Sequence, residues 1–241
     1  MCVCVMVIVA AGKGSRLGTT GLPKQYVKIH EQEVMWHAIV SSFAPYIHRV
    51  RVVIGSGHDA LYQNAIKSVP VTIADRLLPP VHGGNRRQDS VRIGLDSLEH
   101  INPDLVAIHD ACRPFAQAIP ENTITSALAL HSGVVPVLSP VETIHTVAHG
   151  CIAGSVDRES ARIVQTPQVY KYPDLRACHR RVHNANPEKY FTDDSAIMLE
   201  CGMSVATTEG QFNNFKITTS EDLLRAKLHL SGDIALHGVT K

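Results

Sequence analysis

The sequence predicts an α/β fold: a mainly parallel β-sheet with helices on both faces, together with a β-hairpin. Three observations point there. Residues 3–9 are a continuous β-branched and apolar run without polar alternation, as in a strand buried on both faces of a parallel sheet. Strand-like and helix-like stretches then alternate, which requires crossover connections between parallel neighbours. Later, short alternating runs around a His-Gly turn break that rhythm and read as a hairpin.

The first strand leads into Ala10 and Ala11, then Gly12, Gly14 and Gly18, with the cations Lys13, Arg16 and Lys24 within or just after the turn. Such a glycine-rich turn is where α/β folds bind phosphorylated ligands, because missing side chains let backbone N–H groups approach phosphate oxygens. Gly12-x-Gly14-x-x-x-Gly18 is one residue too long for the dinucleotide fingerprint, and Lys13 followed by Gly14 is not a P-loop. An ordinary strand-to-helix turn is the plain alternative. Pro23-Lys24-Gln25-Tyr26, a lysine on a rigid loop beside a cationic turn, weighs against it. Residues 34–46 predict a helix with Pro45 near its end, 50–54 a second strand, 58–67 a short helix and 69–74 a third strand. The loop 75–88, rich in Pro, Gly and Arg, precedes a helix that Asp89 or Ser90 caps or opens. It is either a solvated loop or a base-recognition loop, in which Gly83 and Gly84 read a pyrimidine edge and Arg87 meets triphosphate charge.

Residues 105–108 form the fourth strand, followed by His109-Asp110-Ala111-Cys112-Arg113-Pro114. A carboxylate there suits Mg²⁺ or a ribose; a turn-initiating aspartate is the alternative. A helix at 121–131 and a strand at 133–138 follow. Residues 141–157 read as the hairpin, which is not stable alone and has to pack on its own domain or on a partner. Helices at 173–184 and 193–201, a strand at 205–208 and an amphipathic helix at 219–230 capped by Thr219 or Ser220 complete the chain. Thr192-Asp193-Asp194-Ser195 carries an N-cap pattern and reads as mainly structural.

The 241 residues suit one α/β domain or one and a half small ones; the reading taken is a single domain, 1–241, with the β-arm at about 139–158. With 23 Lys+Arg against 22 Asp+Glu, there is no basic excess of the kind that binds nucleic acid or a membrane surface. No stretch reaches the roughly 20 apolar residues of a membrane span, and no secretory signal is read at the start. The six scattered cysteines read as reduced thiols, so the expected location is the cytoplasm. Fourteen histidines show no convincing helical metal pair.

Ala10-Ala11-Gly12-x-Gly14-x-Arg16 followed by Pro23-Lys24-Gln25-Tyr26 resembles the signature of the 2-C-methyl-D-erythritol 4-phosphate cytidylyltransferases, within the Rossmann-like nucleotidyltransferases. The resemblance extends over nearly the whole chain, in order: Gly83, Gly84, Arg87 and Ser90; His109, Asp110, Ala111 and Arg113, with Cys112 where the family has alanine; Asp157, Arg158, Thr166, Pro167 and Gln168; and Asn214, Lys216 and Thr218. It implies a Rossmann-like sheet whose hairpin arm embraces a second subunit of a homodimer. It also implies that CTP and a polyol phosphate are joined with Mg²⁺ or another divalent cation, and pyrophosphate released. Arg16, Lys24, Arg158 and Lys216 would then be catalytic. Ala10, Ala11, Gly12, Gly14, Gly83, Gly84, Arg87, Ser90, Asp110 and Ala111 would bind the nucleotide. Arg113, Thr143, Arg158, Thr166 and Lys216 would hold the acceptor, with Asp110 also on the metal.

That reaction joins two anions, so its catalyst has to offset repulsion, hold the pair in line and stabilise charge on phosphoryl oxygens. A phosphate monoester is already largely ionised near neutrality and requires no general base. Three other readings stand beside it: a cytidylyltransferase for ribitol 5-phosphate or a similar acceptor, a purine-specific relative serving a molybdenum cofactor or a nucleotide sugar, and a nucleotide-binding regulator without turnover. A cytosine-sized pocket behind Gly84 and Ser90 argues against the second, and Arg16, Lys24 and Lys216 against the third.

Overall fold

A computed structural model describes residues 2–12 and 21–232. Strand β1 (Cys4–Ala10) alternates its side chains between two cores. Met6 and Ile8 join a cluster with Met35, Ile39, Tyr62 and Ile124, while Val5 and Val7 join one with Val91, Leu95, Leu175 and Ile197. The uninterrupted apolar run of the sequence is thus a strand covered on both faces. After a 3₁₀ turn at Lys24–Tyr26 come a small ladder, β2 (Lys28–Ile29) with β3 (Gln32–Glu33), helix α1 (Val34–Ser41), β4 (Ile47–Ile54) and α2 (Asp59–Ile66). The predicted helix 34–46 is therefore shorter at its end. Ser42 returns its N–H and hydroxyl to the Ala38 carbonyl, and Pro45 disfavours helical backbone in the residue before it.

The strand expected at 69–74 is instead a helical turn, α3 (Val71–Ala74). Pro70 supplies the N-cap, and its carbonyl accepts from Ile73 and Ala74. Val69 and Ile73 are buried while Val71 is 72% exposed, so the apolar spacing is four residues, not two. The parallel position beside β4 is taken by a single bridge between Val50 and Leu77 and then by the two-residue β5 (Val81–His82). Next are α4 (Arg87–Asp96), β6 (Leu105–Asp110), α5 (Glu121–Leu128) and β7 (Gly133–Leu138).

The hairpin consists of β8 (His145–Ala148) and β9 (Cys151–Ser155), turned by His149 and Gly150, both at positive φ. These two strands pair only with each other among the described residues, and every residue of β8 is exposed. The chain returns through β10 (Ile163–Val164) and β11 (Gln168–Lys171), then α6 (Tyr172–Ala185), α7 (Asp194–Glu200), β12 (Val205–Glu209) and α8 (Ser220–Ser231). Thr219 caps α8 by accepting from the Asp222 N–H.

The main sheet runs β5-β4-β1-β6-β11-β7-β12, with β10 also against β7. β1 is parallel to β4 and β6, β4 to β5, and β7 to β12; β10 and β11 run against their neighbours. Helices α1, α2 and α5 pack on one face, α4, α6 and α7 on the other. This is the α/β, mostly parallel architecture the sequence predicts. No helix among the described residues is long and apolar enough to cross a membrane.

Candidate active site

A cleft opens where β1 and β6 end. From β1 come Ala10, Ala11 and Gly12; from β6, Asp110 and Ala111; and from the segment before α4, Gly84, Asn85 and Arg86. Gln25, 2% exposed, shapes this region. Its amide donates to the carbonyls of Ala10 (2.6 Å) and Gly12 (2.9 Å), tying the end of β1 to the 3₁₀ turn that presents Lys24 to the cleft. Lys24 Nζ is steadied by the Ile217 carbonyl at 2.9 Å. Gly14 and Arg16, with Lys13 and Gly18, lie outside the described residues.

Gly83 shows why this loop needs glycine. A Cβ there would lie 2.6 Å from Ala11 Cβ and 2.6 Å from Ser90 Oγ. Ser90 caps nothing; its hydroxyl accepts from the Gly84 N–H at 3.2 Å and holds the loop against the first turn of α4. Asp89 does the capping, accepting from the Arg86 N–H and pairing with its guanidinium. The Gly83 N–H donates to the Ile54 carbonyl of β4, so the glycine loop is fastened between β4 and α4, and Gly84 lines the cleft.

The electrostatic centre is Asp110, 5% exposed. Arg87 Nε donates to its Oδ1 at 2.9 Å and Lys216 Nζ to its Oδ2 at 2.7 Å, with Arg113 Nε 3.8 Å away. Burial pushes the Asp110 carboxyl up, but Arg87, Lys216 and Arg113 outweigh it and hold the group well below the usual carboxylate range. Arg87 also meets Asp194 at 2.8 Å. Burial works against its charge, and the two carboxylates more than restore it, leaving the guanidinium more firmly protonated than usual.

Beneath Asp110, the buried His109 is driven down to about 4 by desolvation, so the ring is neutral near pH 7. That fixes its bonds: Nε2–H donates to the Arg113 carbonyl, Nδ1 accepts from the Thr166 hydroxyl, and Thr166 Oγ1 accepts from the Asp110 N–H.

A second cleft lies across this charged wall, lined by Arg113, Thr166, Gln168, Thr192 and Asp193 together with Arg87, Asp110 and Lys216. Arg113 is aimed by the carbonyls of Asn214 (2.7 Å) and Val164 (3.3 Å). Predicted acceptor residues Arg113, Thr166 and Lys216 therefore meet here, and Ala10, Ala11, Gly12, Gly84, Arg87, Ser90, Asp110 and Ala111 of the predicted nucleotide set line the first cleft, with Gly83 packed behind them against Ala11 and Ser90. Arg158 and Thr143 do not join them. Both are exposed on the hairpin, where Arg158 donates to the Val141 carbonyl at 3.3 Å.

Asp110 is the only carboxylate on the first cleft among the described residues, and no cluster of three or more His, Cys, Asp or Glu able to hold an ion occurs among them. Each Asp110 oxygen accepts one cation and keeps a second lone pair. The donor set fits one protein ligand to a divalent ion whose other ligands arrive with a polyphosphate, not a protein cage. Sequence reasoning placed Gln25 and His109 in motifs and Asp194 in an N-cap pattern, but gave none of the three a role in the site. The signal for Asp194 was a second aspartate where Asp193 alone caps α7.

A family model described as "IspD: 2-C-methyl-D-erythritol 4-phosphate cytidylyltransferase" matches residues 3–232. A "Bifunctional enzyme IspD/IspF" of Wolbachia pipientis is 42% identical over 224 residues, covering 92% of this chain and 54% of the relative. One from Paramagnetospirillum magneticum is 40% identical over 230 residues, covering 95% of this chain and 57% of the relative. The chain thus spans little more than half the length of these relatives. Among solved structures, 4-diphosphocytidyl-2C-methyl-D-erythritol synthase from Anaerococcus prevotii superposes with a TM-score of 0.79 at 22% identity, over 95% of this chain and 99% of that one. The 2-C-methyl-D-erythritol 4-phosphate cytidylyltransferase from Thermus thermophilus gives 0.73 at 25%, over 94% and 98%. At such identities the likeness speaks for the fold.

Proposed function

This chain belongs to the 2-C-methyl-D-erythritol 4-phosphate cytidylyltransferase family, and on that premise we propose that it joins CTP to 2-C-methyl-D-erythritol 4-phosphate. The products are 4-diphosphocytidyl-2-C-methyl-D-erythritol and pyrophosphate, a step in non-mevalonate isoprenoid precursor synthesis. The observation that carries this reading is the pair of clefts sharing Arg87, Asp110 and Lys216. Two anionic reactants can approach from either side of one charged wall.

The nucleotide takes the first cleft, with its base against Gly83, Gly84 and Ser90 and its triphosphate near Gly12, Lys24 and Arg87. The acceptor phosphate takes the second, drawn by Arg113 and Lys216, with Thr166 as a hydroxyl partner. An acceptor phosphate oxygen attacks the α-phosphorus, and pyrophosphate leaves in line. Lys24 and Arg16 stabilise charge on the equatorial oxygens; Lys24, already held by the Ile217 carbonyl, needs little reorganisation as the charge develops. Mg²⁺, carried by the triphosphate with Asp110 as its protein ligand, would supply further charge neutralisation.

Arg158 and Thr143 serve a neighbouring subunit. The two-fold partner receives the hairpin, whose exposed Val147 and Ile152 supply apolar surface for that contact. The described chain acts as one nucleotidyltransferase unit with this arm as its extension, in the cytoplasm, without nucleic acid or membrane partners.

The test is pyrophosphate release with CTP and each candidate acceptor. The expected result is turnover with 2-C-methyl-D-erythritol 4-phosphate, CTP far ahead of UTP, ATP and GTP in kcat/KM, since a polar base site rejects an analogue that leaves its groups unpaired. Preference for ribitol 5-phosphate would replace the acceptor; equal use of ATP would overturn the base assignment.

A further inference from the structure

Five side chains that could bear alternating charge form a line ending at the clefts. His179 Nε2 donates to Asp194 Oδ1 at 2.9 Å, and Asp194 Oδ2 accepts from Arg87 Nη1 at 2.8 Å. Arg87 Nε and Lys216 Nζ then share Asp110. His179 is 2% exposed and Asp194 0%, and neither lines a cleft. Asp194 is not required to begin α7, since Asp193 already accepts from the Ala196 N–H. A buried carboxylate is costly unless paired and hydrogen-bonded. Burial pushes Asp194 up, while Arg87 and His179 hold it below its ordinary range.

We propose that Asp194 and His179 are positioning residues for Arg87, acting on anion binding in the first cleft without touching the ligand. This rests on the reading of that cleft as a triphosphate site. A guanidinium is a flat, rigid fork. Caught by Asp110 at Nε and by Asp194 at Nη1, it cannot turn without giving up a charge-assisted bond. Nη2 has no protein partner among the described residues, and the side chain borders both clefts. Without Asp194, Arg87 is free to clasp Asp110 with two nitrogens and to contest Oδ2 with Lys216. His179 keeps Asp194 Oδ1 engaged, so that Oδ2 stays directed at Arg87.

The experiment measures inorganic tripolyphosphate binding by calorimetry in the full chain, with kcat and both KM values alongside. Asp194→Asn keeps the shape but not the charge. It is expected to weaken binding by about tenfold, the loss of one oriented charge-assisted contact, and to raise the KM for CTP more than that for the acceptor. In an Arg87→Ala background the same change is expected to shift affinity less than about twofold, because its effect passes through Arg87. His179→Ala should lose affinity, while His179→Gln, which can still donate to Asp194, should keep it. Equal losses with and without Arg87, or equal affinity in the two His179 variants, overturn the proposal. Should Asp194→Asn fail to fold, the His179 pair decides alone. A protein that binds tripolyphosphate but releases no pyrophosphate from CTP would remove the proposed function and leave the positioning role standing; one that binds neither would remove both.

Discussion

Asp110→Asn removes the negative charge around which Arg87, Lys216 and Arg113 gather. Asparagine offers one acceptor and two donors, so it can satisfy Arg87 or Lys216 but turns an N–H toward the other. Taking one partner from a buried ion pair costs about 3–5 kcal/mol. The lower end applies here: Arg87 keeps Asp194, Arg113 keeps two backbone carbonyls, and Lys216, 36% exposed, can turn to water. A loss of about 3 kcal/mol, at roughly 2–4 °C each for a chain of this size, lowers the unfolding midpoint by about 6–12 °C. Circular dichroism of the ligand-free protein measures it. Added tripolyphosphate supplies countercharge, so it should raise the variant's midpoint by more than the wild type's. The wild-type carboxyl titrates well below its unfolded value. Its contribution is therefore full above about pH 4 and disappears as pH falls further, so the gap between the two proteins should close in acid. An unchanged midpoint, or an anion that stabilises both equally, refutes the reasoning.

Lys24→Ala should lower pyrophosphate release by about 100-fold or more in a protein that still binds CTP, as for loss of a preorganised charge; unchanged turnover removes Lys24 from the chemistry. Gly83→Ala puts a methyl group against Ala11 and Ser90. It should raise the KM for CTP and cost about 1–3 kcal/mol in urea unfolding, with wild-type values in both showing that the loop is not tightly packed. Burial holds His109 at about 4 in the folded protein, so between about pH 6.5 and 4 the unfolded chain takes up a proton that the folded one refuses. Stability should fall through that window as pH drops, by about 3 kcal/mol at most, and His109→Gln should flatten the curve. Lys24→Ala and Arg158→Ala proteins, each nearly inactive, should regain activity when unfolded, mixed and refolded together, because one site of a mixed dimer carries neither defect; demonstrated mixed dimers without activity would return Arg158 to its own subunit.

Where one physical signal dominated, the sequence was readable. An apolar run without polar breaks marked β1, and the His149-Gly150 turn marked the hairpin. Residues 69–74 misled because β-branched residues suit strands by type, while their burial follows a four-residue spacing set up by Pro70. In the site, residues that face a cleft from glycine loops or strand ends were visible as motifs. Their supports were not. Gln25 bonds to carbonyls 13 and 15 residues back, and Asp194 reaches an arginine 107 residues away. Neither link has a periodicity or a local pattern; only the closed fold creates them. Arg158 and Thr143 present the opposite case, since the resemblance implies a role for them and a single chain leaves them in solvent.

The border formed by Arg87, Asp110 and Lys216 also joins the energetics of its two sides. Anions settling in either cleft draw on the same few cations, so each visitor weakens the field available to the other. Reciprocity makes that penalty the same factor in both directions. Joint occupancy must therefore be won away from the border, by the loop from Gly83 to Ser90 on one side and by Arg113 and Thr166 on the other. A small polyanion that lacks those outlying contacts is held by the border alone and can lodge on either side, excluding both proper occupants. On the proposed function, cross-inhibition at high ligand concentration follows from such a partition.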